Sequence, residues 1–540
     1  MKISKTNRNG FVRRLLSLIM VTVLCAAALS GCSKSNYKYK QDLNIIDDNY
    51  RNYYEIFVYS FYDSNGDGIG DLNGVTQKLD YIQDMGFNGI WLMPVMPSTT
   101  YHKYDVKDYC AIDSQYGTID DFKNLVDECH KRGINVVIDM VINHTSSSHQ
   151  WFIKACSYLR QLEAGKEPDA SECPYIEYYH FSKDRVNDTY YQVKGSKDWY
   201  YEGSFWSEMP DLNLACEALR DELWSAADFW IDLGVDGFRM DAAMHFEENE
   251  PEFNTEVLNS LYEHCLEKNP DFYMVSEVWA GLNTVKDYYS SNTPSMFNFD
   301  AGNTEGKLIK TARGVLKASG LVDAMIRYQN EFSSVYADYI DAPFLTNHDM
   351  GRVSNALLND ENDIKMAGGL LMMMNGSPFV YYGEEIGMAS SGSKDENKRL
   401  PMIWSDDASG KGMTTGPKDA DKNITSAFES ADKQLKDENS ILNYYKRALR
   451  LRNENPEIAR GVIEKIESLC DGNQAAITKT YNDSTIGIVY NTSDEVINVN
   501  IAGTELEGMG IRGYLTLNNE EITLKDGILT MPAQSICILK

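Results

Sequence analysis

Cations are what this chain has too few of. Its 51 Lys and Arg stand against 80 Asp and Glu over 540 residues, a formal net charge of −29. A surface this acidic repels phosphate backbones and anionic lipid headgroups, so nucleic acid is excluded as a partner. Paired cysteines are also missing: the ten thiols include no CxxC, so no zinc or dithiol redox motif follows. Several of the eight beyond residue 32 fall in apolar patterns and read as buried thiols, with Cys156 and Cys173 the pair to test for a disulfide. Nor is there a long apolar run: the stretch 15–29 is too short for a confident membrane span. What is present describes a globular chain, 43% hydrophobic and 11% aromatic, too long for one simple core.

The N-terminus reads as a targeting segment. Lys2, Lys5, Arg8, Arg13 and Arg14 precede the apolar stretch, which ends in Leu29-Ser30-Gly31-Cys32. That ending resembles a bacterial lipobox, in which cleavage before the cysteine leaves it as a lipidated N-terminus. Cys32 is then the lipidation site, residues 33–41 are a polar tether, and more than one acyl chain gives stable anchoring. The resemblance places the protein on the extracellular face, tethered to the bacterial membrane. Losing residues 1–31 removes five cations and no anion, making the remainder more acidic still.

From residue 53 to about 452, short apolar runs alternate with helix-length amphipathic stretches. Strands are expected at 55–60, 89–93, 135–141, 237–241, 273–278, 295–299, 343–346 and 379–382. Thr118-Ile119-Asp120-Asp121 offers a cap and early acids ahead of Phe122, Leu125, Val126 and Cys129, as a helix start requires. Eight such alternations predict an α/β fold, a (β/α)8 TIM barrel, rather than an open sheet. Two segments break the rhythm. Residues 144–213, dense in Tyr, Trp and charge, read as an inserted subdomain after the third strand; residues 389–424 read as a long functional loop. Past Pro456, Ile497, Val499 and Ile501 alternate with Asn498 and Asn500, the signature of a small all-β domain. The expected organisation is a signal at 1–31, a tether at 32–50, a barrel at 51–143 and 214–455, the insert at 144–213 and a β-sandwich at 456–540.

Three carboxylates sit where strands leave the core: Asp241 in GFRMD, Glu277 in VSEVW and Asp349 in FLTNHD. A parallel barrel gathers strand ends on one face, so residues this distant can share a site. Paired acids are the equipment of glycosidic cleavage, where a retaining enzyme needs a nucleophilic carboxylate and a protonated acid about 5 Å apart. Arg239 lies two residues before Asp241 and faces the same way, which keeps Asp241 ionised as a nucleophile. Glu277, between Val275, Val278 and Trp279, has the apolar setting that raises an acid catalyst's pKa. Asp349, beside Asn347 and His348, is placed to hold sugar hydroxyls. In the loop after the first strand, Asp63, Asn65, Asp67 and Asp71 with the Ile69 carbonyl offer five oxygens, a donor set suited to Ca2+. It is not a full EF-hand, because Gly74 stands where a bidentate Glu would be.

With these residues in view the chain resembles glycoside hydrolase family 13, the α-amylase family, from residue 53 to the C-terminus. Seven motifs match in order: GIWLMPV (89–95), DMVINH (139–144), MPDLN (209–213), GFRMDAAMH (237–245), SEVW (276–279), LTNHD (345–349) and GSPFVYYGEEIGM (376–388). The resemblance implies Asp241 as nucleophile, Glu277 as acid/base and Asp349 as stabiliser of the distorted sugar. It implies that Arg239, His144 and His348 bind that sugar and that Tyr104 stacks on it, with Asp105 and Asp139 in support, and Tyr101 is a second candidate sugar platform. It further implies a calcium ion in the 63–71 loop, and a second one using Asn143 and Asp211. Ala242, directly after the nucleophile, matches the small residue of α-1,4-acting members, whereas Met244 departs from their usual Lys. The implied function is an α-amylase acting with retention on starch, glycogen or maltooligosaccharides. Because MPDLN and KRLPMIW (398–404) are close to α-glucosidase-like forms, an α-glucosidase, oligo-1,6-glucosidase, neopullulanase-like hydrolase or transglycosylase stays open. So does an inactive glucan-binding surface protein.

Overall fold

The computed structural model describes residues 46–540 apart from Ala164 and Ala408. The signal segment, Cys32 and the tether up to residue 45 lie outside the described residues. Within them, apolar runs buried on both faces pair in parallel, as strands with helices outside and packed side chains inside must. The strands are β1 (Tyr53–Ile56), β2 (Gly89–Leu92), β3 (Asn135–Met140), then β4 (Phe181–Ser182), β5 (Tyr190–Gln192) and β6 (Tyr200–Glu202) of a separate small sheet. The main sheet resumes with β7 (Gly237–Met240), β8 (Tyr273–Ser276), β9 (Ser295–Met296) and β10 (Phe379–Tyr381), in the order β10-β1-β2-β3-β7-β8-β9.

The remaining gap is spanned by residues 342–344. Ala342 bridges Phe297 and Phe344 bridges Phe379, both in parallel, so the curled sheet closes as a TIM barrel. This eighth member is a pair of bridges rather than the strand expected at 343–346. Pro343 has no N–H to give a ladder, although its carbonyl accepts from Phe379 N–H at 2.9 Å. The first strand also differs from expectation. It ends at Ile56, and Val58–Phe61 turns helical against the 63–71 loop, where a Cβ on Gly70 would stand 1.9 Å from the Val58 carbonyl.

Large side chains fill the barrel. Tyr53, Trp91, Val137, Tyr273, Val275, Phe297, Phe344 and Phe379 form one buried cluster, with Tyr53 stacked on Phe379 at 4.6 Å and on Tyr273 at 5.3 Å. Each such ring contributes about 2–3 kcal/mol by burial, which makes the interior a packed core rather than a pore. The helix start read from Thr118 is borne out. Thr118 and Asp121 exchange hydrogen bonds in a capping box, and Phe122, Leu125, Val126 and Cys129 are buried. All eight cysteines beyond residue 45 are free thiols, Cys156 and Cys173 included.

Strands β11 (Val462–Lys465), β12 (Gln474–Tyr481), β13 (Ser484–Asn491), β14 (Ile497–Asn500), β15 (Ile511–Leu515), β16 (Thr523–Lys525), β17 (Ile528–Met531) and β18 (Ser535–Leu539) make two antiparallel sheets. Ala476, Val489, Val499, Leu529, Met531, Cys537 and Leu539 pack between them as a sandwich. Among the side chains that tie it to the barrel, one meets three acceptors at once. Lys479 of β12 is fully buried and donates to the carbonyls of Met373 (2.8 Å) and Ile458 (2.7 Å) and to Asn375 Oδ1 (2.5 Å). Ile458 lies in the short helix 457–460 that leads to the sandwich, and Met373 and Asn375 in the turn that feeds β10. There Gly376 is left-handed at φ +81°, and a Cβ would stand 1.9 Å from the Asp341 carbonyl, so only glycine fits. Lys479→Met leaves three acceptors unpaired, at about 1–3 kcal/mol for each buried group. The expected result is a lower urea midpoint at an unchanged slope, with turnover per folded molecule unaltered; an unchanged midpoint would show the tie to be idle.

Candidate active site

The carboxyl ends of the barrel strands deliver the charged groups to one face. Asp139 (β3) and Arg239 (β7) are paired in register, Asp241 is the first residue beyond β7, and Glu277 is the first beyond β8. The Arg239 guanidinium is buried and serves three acids. Its Nη1 donates to Asp139 and, at 2.5 Å, to Asp241 Oδ1, while Nη2 is 3.1 Å from Glu277 Oε2. Glu277 Oε2 also accepts the Ala242 N–H at 3.0 Å. Ala242 is left-handed at φ +49°, an uncommon state for a residue with a Cβ, and this aims its amide. Burial pushes the Glu277 carboxyl up, against the pull of Arg239, and the Asp241 and Asp349 charges add to the rise.

A second cationic pole stands opposite. His348, fully buried, directs Nδ1 to Glu55 Oε1 at 2.6 Å and Nε2 to Asp349 Oδ2 at 3.0 Å and Tyr104 OH at 2.7 Å. Tyr104 stacks on the imidazole at 5.4 Å and also donates to Asp139 at 3.3 Å. Burial alone would lower the His348 pKa, but Asp349 and Glu55 carry it to about 9. Asp349 moves the other way: burial would raise it, yet His348 and Arg399 hold it well below the usual carboxylate range. Arg399 donates to Asp349 Oδ1 at 2.8 Å and to the Tyr101 hydroxyl at 3.2 Å, and Lys398 Nζ reaches the Asp349 carbonyl at 2.8 Å.

The cavity measures about 430 Å³, and its walls include Tyr104, His144, Asp241, Glu277, Asp349 and Arg399. Beneath them Arg239, Asp139 and His348 form the buried support. Tyr101 stands behind Arg399 rather than on the wall. Asp105 is buried in its own turn, accepting from Ser98, Thr99 and Thr100. His144 is buried, its pKa lowered by desolvation, and its Nε2 has no protein partner, which leaves it free for a ligand hydroxyl. The strongly exposed Phe and Trp side chains among the described residues, Phe205 (50%), Trp206 (48%) and Trp279 (45%), all border this one cavity.

Sequence reasoning missed Arg399 and Glu55. Arg399 sits in the motif 398–404, whose charged start was a signal, but nothing in a loop without period says which acid it meets. Glu55 looked like one residue of an apolar strand.

In the 63–71 loop, Gly66 and Gly68 are left-handed and wrap the chain on itself. Asp63 accepts from the amides of Asn65, Gly66 and Gly68, Asn65 from that of Asp67, Asp67 from that of Ile69, and Asp71 from Ser64 and Gly74. The donors are oxygens alone, which suits a hard cation. Among the described residues no group of three or more His, Cys, Asp or Glu side chains is gathered as a metal cluster. Asn143 Oδ1 and Asp211 Oδ1 are buried without hydrogen-bond partners, and burial lifts the Asp211 pKa to about 7.

The sequence profile described as "Alpha amylase, catalytic domain" matches residues 55–461. The chain is 35% identical over 522 residues to Alpha-amylase 3 of Dictyoglomus thermophilum, covering 95% of this chain and 97% of that one. It is 31% identical to the Oligo-1,6-glucosidase of Heyndrickxia coagulans, over 74% of this chain and 84% of the other. Among solved structures, Eubacterium rectale Amy13B superposes with a TM-score of 0.89 at 44% identity, over 93% of this chain and 97% of that one.

Arg239→Lys replaces a fork that serves three acids by a single ammonium. The expected loss in kcat is roughly 10²–10³-fold with an unchanged circular dichroism spectrum; turnover near the native level would make the fork dispensable.

Proposed function

We propose a bond specificity from one premise: the chain belongs to the α-amylase family of glycoside hydrolases. It cleaves α-1,4-glucosidic bonds in starch, glycogen or maltooligosaccharides with retention of configuration. The observation that supports retention is the sharing of one guanidinium by Asp241 and Glu277, at 2.5 and 3.1 Å. Two carboxyls on one such group lie close together, and a short separation leaves room for attack by a carboxylate rather than by a water between them. Asp241, ionised beside Arg239, attacks the anomeric carbon while Glu277, its pKa raised, passes a proton to the departing oxygen. Glu277 then takes a proton from water as that water displaces Asp241. Asp349, kept anionic by His348 and Arg399, holds hydroxyls of the distorted ring and favours positive charge at its anomeric carbon. His144 offers Nε2 to the same sugar, and Tyr104 its ring face.

Amylase-named relatives over nearly the whole chain and the small Ala242 favour the α-1,4 bond. Exposed Phe205, Trp206 and Trp279 at the cavity mouth favour a chain of neutral rings, since sugar faces stack on aromatics. A second reading has its own support. Arg399, bonded to both Asp349 and Tyr101, backs one side of the cavity, as an enzyme trimming short oligosaccharides would require, and oligo-1,6-glucosidases are among the relatives.

The 63–71 loop binds calcium as a structural ion in this proposal, with Asp63, Asn65, Asp67, Asp71 and the Ile69 carbonyl as its oxygens. It takes no part in the chemistry. Cys32 carries a lipid that holds the protein on the outer face of the membrane.

Three outcomes are expected. Purified residues 33–540 on soluble starch release mixed α-anomeric maltooligosaccharides with early loss of iodine staining; glucose alone, with starch untouched, moves the assignment to the second reading. Chelation lowers Tm by about 5 °C and added calcium restores it, whereas a Tm indifferent to both removes the ion. Cys32→Ser releases the protein from membranes, and continued membrane association would place the anchor elsewhere.

A further inference from the structure

Glu55 lies on β1, 1% exposed, opposite Trp91 and Tyr381 in the parallel ladders. It is not on the cavity wall, so no sugar reaches it. Its side chain pairs with His348, Oε1 to Nδ1 at 2.6 Å. The other imidazole nitrogen faces Asp349 Oδ2 at 3.0 Å and Tyr104 OH at 2.7 Å. An ionised carboxylate only accepts, and a neutral imidazole has a single N–H to give. One imidazole between two carboxylates therefore satisfies both only with a proton on each nitrogen. Tyr104 fits the same pattern, donating to Asp139 at 3.3 Å while its oxygen is turned to Nε2.

We propose that Glu55 is a positioning residue for the cleavage reaction: it keeps His348 as the imidazolium that fixes Asp349 in place against the sugar. The inference rests on the hydrolase reading above for its kinetic assay alone. The groups facing His348 are Glu55 from β1, Tyr104 from the loop after β2, Asp139 from β3, Asp349 beside it, and Arg399, whose Nε donates to the His348 carbonyl at 3.2 Å. Arg239 stands beyond Asp139. Two cations in this set oppose a charge on His348, and the nearer of its counter-charges, at 2.6 Å, is Glu55. A carboxylate that meets no sugar thus helps to hold the charge on the imidazole that braces Asp349.

The consequence is a pH dependence belonging to Glu55. Glu55→Gln keeps an acceptor for Nδ1–H but removes the charge, so His348 loses its proton at lower pH and its grip on Asp349 with it. Glu55→Asp keeps the charge with a shorter reach. The expected result is that kcat/KM of the Gln variant falls about twofold at pH 8 and approaches a tenfold loss near pH 10, returns to native at pH 5.5, and does so through kcat more than KM, because lowering the imidazolium pKa from about 9 by about one halves the protonated fraction at pH 8 and leaves roughly a tenth of it further on the alkaline side. The Asp variant recovers most of the alkaline activity. A Gln variant whose profile superposes on the native one, or lies below it by the same factor at every pH, overturns the proposal.

A second measurement needs neither turnover nor a variant. With histidine labelled in both ring nitrogens, the native chain at pH 7.5 should show, among its eight histidines, a buried imidazolium with two slowly exchanging ring protons, distinct from the half-exposed His130 beside Asp236. No such spectrum means that Glu55 holds a neutral ring, and the proposal fails whatever the substrate proves to be. If the imidazolium is found but no α-glucan is cleaved, the substrate reading fails and the positioning role stands.

Discussion

One buried guanidinium conditions the whole catalytic face. Arg239 sits under Asp139, Asp241 and Glu277 with almost no access to water. Removing a buried partner from such a group leaves uncompensated charge costing several kcal/mol, so three acids beside one cation form a set that tolerates little rearrangement. The barrel supplies the register that makes it possible. Asp139 and Arg239 lie opposite each other in the β3–β7 ladder, and a slip by one residue would turn every side chain of one strand to the other face. Trp91, which donates to Asp139 at 2.9 Å and has the Arg239 guanidinium 5.2 Å above its ring, closes the arrangement from β2.

The site is bipolar. Around Arg239 the charges are arranged to let one carboxyl be an anion and its neighbour hold a proton. Around His348 they are arranged so that Asp349 never takes one. The join between the poles is Tyr104, in contact with Asp139 on one side and His348 on the other. Backbone adds its own contribution through Ala242, whose left-handed conformation costs about 1 kcal/mol and turns an amide toward Glu277. That strain sits directly after Asp241, so the geometry of both acids is set within two residues.

What the sequence made legible follows from periodicity. Buried parallel strands are apolar runs that end in polar residues, which is why Asp241 and Glu277 could be placed at strand ends and why Arg239, two residues back, could be put on the same face. Ile497, Val499 and Ile501 declared a sheet facing a core by alternation. The limits are as physical. Arg399 comes from a loop with no repeat, where nothing local ties position to partner. Pro343 reads as part of a strand in composition, yet it withholds the amide a ladder needs. Glu55 carries an apolar strand's rhythm around it, and its partner lies 293 residues away. Tyr101 reads as a sugar platform until Arg399 is seen in front of it.

The Lys479 tie bears on how the chain becomes a protein. All three carboxylates, at 241, 277 and 349, are synthesised before the turn at 373–376 is complete; Arg452 later meets the Met374 and Gly376 carbonyls of that turn, and the Met373 carbonyl waits for a lysine more than a hundred residues further on. Until the sandwich arrives, the turn before the strand that shuts the ring lacks part of its outside support, and an unshut parallel sheet presents bare edges to any neighbouring chain. The barrel is thus finished from its far end. The last hydrogen bond of the turn before the closing strand is made only once β12 exists.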